Sequence, residues 1–204
     1  MKLLHATGNL FKYNLMKERL RVFPEIELVN PKMLNINIDV VEDGTTAEEN
    51  SIKKAEAYYK ASNIPTIAED TGLYIDKFSD DEQPGLFVKR VNHQEGLSDS
   101  EILEYYIDKL NEYGGSSKAH YFTGVAIVDN EGITHSKLIN ETEFLLTAKK
   151  CDKKNNEGGV LGCISYDINA NKYFTERTTE EELNHYKKLN NEYYELIKEY
   201  ILKK

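Results

Sequence analysis

The residues able to do chemistry in this chain are few and grouped. Ile67 to Asp76 reads Ile-Ala-Glu-Asp-Thr-Gly-Leu-Tyr-Ile-Asp, with two adjacent carboxylates, Glu69 and Asp70, followed by Thr71-Gly72. A clefted acid pair is costly unless a cation neutralises it, and Mg²⁺ favours a few carboxylate oxygens plus water and substrate phosphates. Strand-like residues on both sides predict a turn between two strands that presents both acids at the end of a sheet. A plain solvated turn is the alternative, because Asp and Gly favour turns for backbone reasons.

A second group lies at the start. Leu3 to Ala6 predicts a short buried strand, Thr7-Gly8-Asn9 a glycine turn, and Leu15, Met16 and Leu20 a helix over Lys12 to Leu20. Such a turn leaves backbone N–H groups free at a helix N-terminus, where the macrodipole also favours anions. Lys12, in the first turn, can fold back onto a bound phosphate. There is no Gly-Lys-Ser/Thr, so this is not a Walker loop. An ordinary connection with Asn9 as N-cap and a solvated Lys12 fits the same residues. In the third group, Glu42-Asp43-Gly44-Thr45-Thr46, Glu42 is either another metal ligand or an exposed loop acid.

The elements that must position these groups are read from periodicity. Glu27 to Asn30 and Met33 to Val40 are strand candidates, the second alternating Leu34, Ile36, Ile38, Val40 against Asn35, Asn37, Asp39. A helix follows from Ala47 to about Ala61, with Thr46 and Glu49 as a capping box and Ile52, Ala55 and Tyr59 as its apolar stripe. Lys53 and Lys54 take different azimuths, so at most one of them faces a cleft. Phe78 to Gln83 is an acidic loop. Within Pro84 to Val91, Lys89 and Arg90 each suit an anion contact or a surface ion pair. Ser98 to Tyr113 is an amphipathic helix stopped by Gly114-Gly115. Ala119 to Asp129 and Ile133 to Thr147 form a hairpin around Asn130-Glu131-Gly132. Asn155 to Gly159 is a polar loop, Val160 to Ile168 holds another strand, and a helix runs from Thr178 to the chain end on an apolar stripe read as core.

Composition narrows the class. A chain of 204 residues, 40% apolar and 30% charged, suits a globular protein with one good core. Its net charge of −9, from 26 basic and 35 acidic residues, argues against a generic nucleic-acid binder. Cys151 and Cys163 lack CxxC or zinc spacing, so reduced thiols in a cytosol are expected. No run of about 18 apolar residues and no signal-like start occurs, which predicts a soluble cytoplasmic protein without a membrane partner.

Taken in order, the blocks resemble the inosine triphosphate pyrophosphatase family, which clears non-standard purine nucleotides. The match runs through Thr7-Gly8-Asn9-(x)2-Lys12, then Glu42-Asp43-Gly44-Thr45-(x)4-Asn50-(x)3-Lys54-Ala55, then Ala68-Glu69-Asp70-Thr71-Gly72-Leu73-(x)2-Asp76. It continues in Pro84-Gly85-(x)3-Lys89 and the strand from Tyr121 to Val128. The resemblance implies a single α/β domain over 1–204, with an elongated twisted mixed sheet, flanking helices, two lobes and a nucleotide cleft between them. It also implies a homodimer and Mg²⁺-dependent hydrolysis of inosine, deoxyinosine and xanthosine triphosphates to monophosphate and pyrophosphate. On the same basis Thr7, Gly8, Asn9 and Lys12 hold phosphates, while Lys54, Thr71 and Lys89 contact the nucleotide. Glu42, Glu69 and Asp70 bind Mg²⁺. Asp70 is the general base, and Lys12 and Glu69 complete the catalytic set.

The C-terminal third departs from the pattern. The family's Gly-Phe/Trp-Gly-Tyr/Trp-Asp-Pro is reduced here to Cys163-Ile164-Ser165-Tyr166-Asp167-Ile168, which leaves Tyr166 and Asp167 as the base-side candidates. No Ser-His-Arg follows Glu182-Leu183 and Lys187 or Lys188; Asn190-Asn191-Glu192 stands in that region. A pocket discriminates strongly by hydrogen bonds only if its donors are present. A nucleotide-binding regulator, and an enzyme with shifted base preference, therefore stand beside the pyrophosphatase reading.

Overall fold

A computed structural model describes residues 1–91, 94, 96–152 and 159–203. The polar loop expected over Asn155 to Gly159 falls, except for Gly159, outside the described residues. The strands are β1 (Lys2–His5), β2 (Glu27–Val29), β3 (Thr66–Ile75), β4 (Ser116–Val128), β5 (Thr134–Asn140), β6 (Phe144–Thr147), β7 (Ser165–Asp167) and β8 (Lys172–Tyr173). Among the described residues they make one open, twisted eight-stranded sheet in the order β2-β1-β3-β4-β6-β7-β8, with β5 also paired to β4. β1 runs parallel to β2 and β3, whereas the β4-β6-β7-β8 run is antiparallel, so the sheet is mixed. Flanking helices α1 (Leu10–Arg19), α2 (Ala47–Ser62), α3 (Asp99–Glu112), α4 (Thr179–His185) and α5 (Lys187–Leu196) complete the α/β class expected from the sequence.

The chain divides into two compact units. One comprises Met1–Thr71, Thr123–Ile139 and Leu189–Lys204; the other Gly72–Phe122 and Asn140–Lys188. In the first, α2 packs on the sheet through small residues: Ala6, Ala55, Ala68, Ala126 and Val128 form the contact, with Ile52 and Tyr59 beside it. Gly124 belongs to this close approach. A Cβ there would lie 2.3 Å from the Ala47 carbonyl carbon, so the start of α2 rests directly on β4. In the second unit larger side chains fill the core, among them Leu73, Ile75, Phe78, Ile102, Tyr106, Leu110, Phe144 and Leu146.

Helix starts follow local rules closely. Thr46 with Glu49, Ser98 with Glu101 and Thr178 with Glu181 are capping boxes, and the Asn9 carboxamide accepts from the Phe11 and Lys12 N–H groups. Four expectations are corrected. Met33 to Val40 is not a strand. Asn30 caps a 3₁₀ turn over Pro31–Leu34, and Asn35 leaves it left-handed at φ 54°. The alternation survives as half-buried and exposed side chains, but the segment joins no ladder. The long strand from Ile133 to Thr147 is interrupted between Asn140 and Phe144, whereas Val160 to Ile168 does hold a strand, β7. The C-terminal helix breaks at Tyr186 and ends in a π-helical segment, Ile197–Leu202, although its stripe is core: Leu189, Tyr193, Leu196, Ile197 and Ile201 are buried.

The largest correction concerns Glu69-Asp70. No turn occurs there; β3 runs unbroken from Thr66 to Ile75. Gly72 serves packing instead, because a Cβ on it would fall 2.1 Å from the Phe122 ring. Successive strand side chains leave on opposite faces, so the two carboxylates cannot sit side by side.

Candidate active site

The first unit contains a cavity of about 370 Å³ lined by Thr7, Gly8, Asn9, Lys12, Asp39, Glu42, Lys54, Tyr58 and Glu69, among others. One edge of it is the turn between β1 and α1. Asn9 closes that turn by accepting from two helix N–H groups, while its own N–H donates to Thr7 Oγ1 at 3.1 Å. A Cβ on Gly8 would meet no protein atom within 4 Å, so packing does not require this glycine. Its bareness instead keeps open the backbone that faces the cavity.

Two ammonium groups enter from different helices. Lys12, in the first turn of α1, donates to Thr71 Oγ1 at 3.3 Å and lies 3.8 Å from Glu69 Oε1. Thr71 shares a further 3.0 Å hydrogen bond with Thr123. Lys54, on α2, sits 3.0 Å from Glu42 Oε2 and 3.9 Å from Asp70 Oδ1, and donates to the Glu69 carbonyl at 3.3 Å. Lys53 turns instead to exposed Asp43 at 2.6 Å. Of the two neighbouring lysines, Lys54 lines the cavity. Asp70 is fixed from its other side, where Asn50 Nδ2 donates to Oδ2 at 3.1 Å; Asn50 Oδ1 in turn accepts from the Gly44 N–H at 2.7 Å. The loop carrying Glu42 and the strand carrying Asp70 are thus joined through α2.

Glu69 is the buried member of the set. Its Oε2 accepts a short hydrogen bond from Tyr193, and its Oε1 faces Lys12 and His5 Nε2, the latter at 3.7 Å. That distance is too long for a hydrogen bond. Neither ring nitrogen of fully buried His5 finds a hydrogen-bond partner among the described residues. Burial pushes the Glu69 carboxyl up, but Lys12 foremost, then His5 and Arg19, outweigh it and hold the group well below the usual carboxylate range. Tyr58 shifts the other way: burial and the Glu42 carboxylate raise its phenol, which keeps it a neutral donor.

The remaining sequence candidates belong to the second unit. Lys89 is exposed. Tyr166 donates to Asn171 Oδ1 at 2.7 Å and meets the Tyr173 ring edge-on at 5.2 Å. Asp167 is buried: Oδ1 accepts from the Asn169 and Ala170 N–H groups, and Oδ2 faces Arg177 Nη1 at 3.2 Å and His185 Nδ1 at 3.0 Å. Sequence reasoning missed His5, Asp39, Asn50, Tyr58 and Tyr193. Asn50 lies in the block that begins at Glu42, and its place there was the available signal, since it stands off the apolar stripe of Ile52, Ala55 and Tyr59. For Tyr193 there was none, since it meets Glu69 across 124 positions.

Among the described residues no group of three or more His, Cys, Asp or Glu is arranged to hold a metal ion, and no helix is long and apolar enough to cross a membrane. The chain is 31% identical over 135 residues to a dITP/XTP pyrophosphatase of Borrelia recurrentis, covering 64% of each chain. It is 33% identical over 152 residues to a dITP/XTP pyrophosphatase of Hydrogenobaculum, covering 65% of this chain and 71% of that one. The chain therefore matches less than two thirds of the Borrelia relative's length. The fold is shared with the Staphylococcus aureus Ham1 protein, at a TM-score of 0.71 and 24% identity over 94% of this chain and 97% of that one. The Ham1 family model matches residues 3–148, which contain the turn, both lysines, Glu42 and Glu69 of the cavity, and Asp70, which does not line it. By that match, in agreement with the ordered sequence blocks, the chain belongs to the Ham1 family.

Proposed function

We propose that this protein is a Mg²⁺-dependent nucleoside triphosphate pyrophosphatase that clears ITP, dITP and XTP from the nucleotide pool. The observation that carries the reading is the cavity itself: a helix N-terminus and two ammonium groups face the same space as Glu42 and Glu69. A triphosphate needs that combination, with donors for its oxygens and carboxylates placed for a cation and a water. In the reaction, water oxygen bonds to the α-phosphorus while the bond to the α–β bridging oxygen breaks, so pyrophosphate leaves and the monophosphate remains. Asp70 takes the water's proton, and Asn50 holds its carboxylate in place for that transfer. Thr7, Gly8, Asn9 and Lys12 bind phosphate oxygens, and Lys54 and Thr71 orient the nucleotide. Lys89, Tyr166 and Asp167 are assigned to the nucleoside end, Asp167 by holding the turn after Tyr166.

The donor chemistry fits Mg²⁺, which takes oxygen ligands and completes its shell with water and phosphate. Glu42 and Asp70, which share Lys54, would hold it, while Glu69 leaves the opposite face of β3 and is held by Lys12 and Tyr193. When bound, the ion supplies neutralisation of the triphosphate charge. A substrate panel with pyrophosphate detection tests the proposal. Release from dITP and XTP that depends on Mg²⁺ is expected; orthophosphate release, or silence across the panel, rejects it. A homodimer, implied by the family resemblance, is tested by sedimentation.

A second reading has one observation in its favour. In the region of the missing Ser-His-Arg, Asn190 is buried and accepts from Arg19 Nε at 2.6 Å. A regulator that binds nucleotide without turnover would show calorimetric binding and no product.

A further inference from the structure

Glu69 has two neighbours that recur in no block of the sequence. One is Tyr193, fully buried on α5, whose hydroxyl donates to Glu69 Oε2. The other is Arg19, the last residue of α1, whose guanidinium carbon lies 4.7 Å over the Tyr193 ring. Arg19 also donates to Asn190, three residues before Tyr193 on the same helix. The ring is therefore held between α1 and the sheet, and its hydroxyl is aimed at one carboxylate oxygen. The other oxygen of that carboxylate faces Lys12 Nζ at 3.8 Å, and Lys12 also reaches Thr71 at 3.3 Å.

A carboxylate accepting a fixed hydrogen bond on one oxygen presents the other in a fixed direction. A lysine, by contrast, is a flexible point charge that takes its position from its partners. We propose that Tyr193 is a positioning residue of the phosphate cavity: it orients Glu69, which holds the Lys12 ammonium at the cavity wall. This rests on reading the cavity as the triphosphate site. It explains why Glu69 is buried and charged beside a lysine that is 30% exposed. It also gives the C-terminal helix a part in phosphate binding in place of base reading.

The test is calorimetric binding of inorganic tripolyphosphate with Mg²⁺ present, which needs no turnover. Tyr193→Phe removes the hydroxyl and keeps the ring over Arg19, and should weaken binding about tenfold. Tyr194→Phe, whose ring packs edge-on against Phe23 at 5.7 Å, is the control and should bind as wild type. In a Glu69→Gln background Tyr193→Phe should cost nothing further, because nothing remains for it to orient. Lys12→Met supplies the equivalent background if that variant does not fold. Equal losses in both backgrounds, or unchanged binding in Tyr193→Phe, overturn the proposal while leaving the cavity's role intact. Wild type that binds tripolyphosphate but releases no pyrophosphate overturns the enzymatic reading alone. Wild type that binds none overturns both.

Discussion

Each unit of this protein buries one carboxylate among a histidine and an arginine, and the two clusters do different work. In the second unit Asp167 is enclosed. Both oxygens are occupied from inside, and the Arg177 side chain that pairs with it is 1% exposed. Arg177 also stacks on Phe174 at 3.7 Å, and its Nε and Nη2 find no hydrogen-bond partner among the described residues. In the first unit Glu69 is also buried, but its cation, Lys12, lines a cavity and remains partly exposed. A charge pair closed on all sides holds a fold together. One whose cation reaches an open space can exchange that partner for a ligand.

That contrast breaks or sharpens by measurement. The largest effect is expected outside both clusters, at Asp70: Asp70→Asn should reduce pyrophosphate release by about 10²–10⁴-fold with the melting temperature near wild type. Activity within tenfold of wild type would remove Asp70 as the base. Next comes Asp167→Asn, which leaves the buried Arg177 guanidinium with only Glu182, 3.7 Å from Nη2, and should cost about 3 kcal/mol in urea unfolding. Glu69→Gln should cost clearly less, because Lys12 can turn to solvent; equal losses would erase the distinction between the clusters.

The third effect is in pH. Burial, then Arg177, lowers the His185 imidazole from 6.5 to about 4, so the unfolded chain takes up a proton first as pH falls. Stability should therefore drop progressively between pH 6.5 and 4, by on the order of 3 kcal/mol. Unfolding curves across that range check the slope, and His185→Gln should flatten it. Gly124→Ala drives a methyl into the start of α2 and should cost about 1–3 kcal/mol, with Glu42 and Lys54 displaced and activity reduced. The smallest effect belongs to Lys53→Ala, whose partner Asp43 is exposed: no measurable change in melting temperature or activity is expected, in contrast to Lys54→Ala.

How much could be read in advance follows the distance between partners. Asn9 as N-cap and Thr46 with Glu49 were legible because capping is decided within three residues. Lys53 and Lys54 were rightly separated by azimuth, a consequence of helical geometry alone. Met33 to Val40 misled because alternation records which side chains face the core and does not say whether a neighbouring strand exists to pair with. Glu69-Asp70-Thr71-Gly72 has the local composition of a turn, but the Phe122 ring, fifty residues away, is what requires the glycine.

By itself the sequence determined the parts: a strand–turn–helix with Asn9 at the helix start, two lysines, three acids and a family-ordered set of blocks. Their types and local spacing suffice for that, since turns, caps and helical faces are short-range physics. Only the tertiary structure decided that the acid pair is split across a strand, with Asp70 held by Asn50 and Glu69 by Tyr193. Those assignments depend on which distant side chain fills each buried space. No local pattern carries that information.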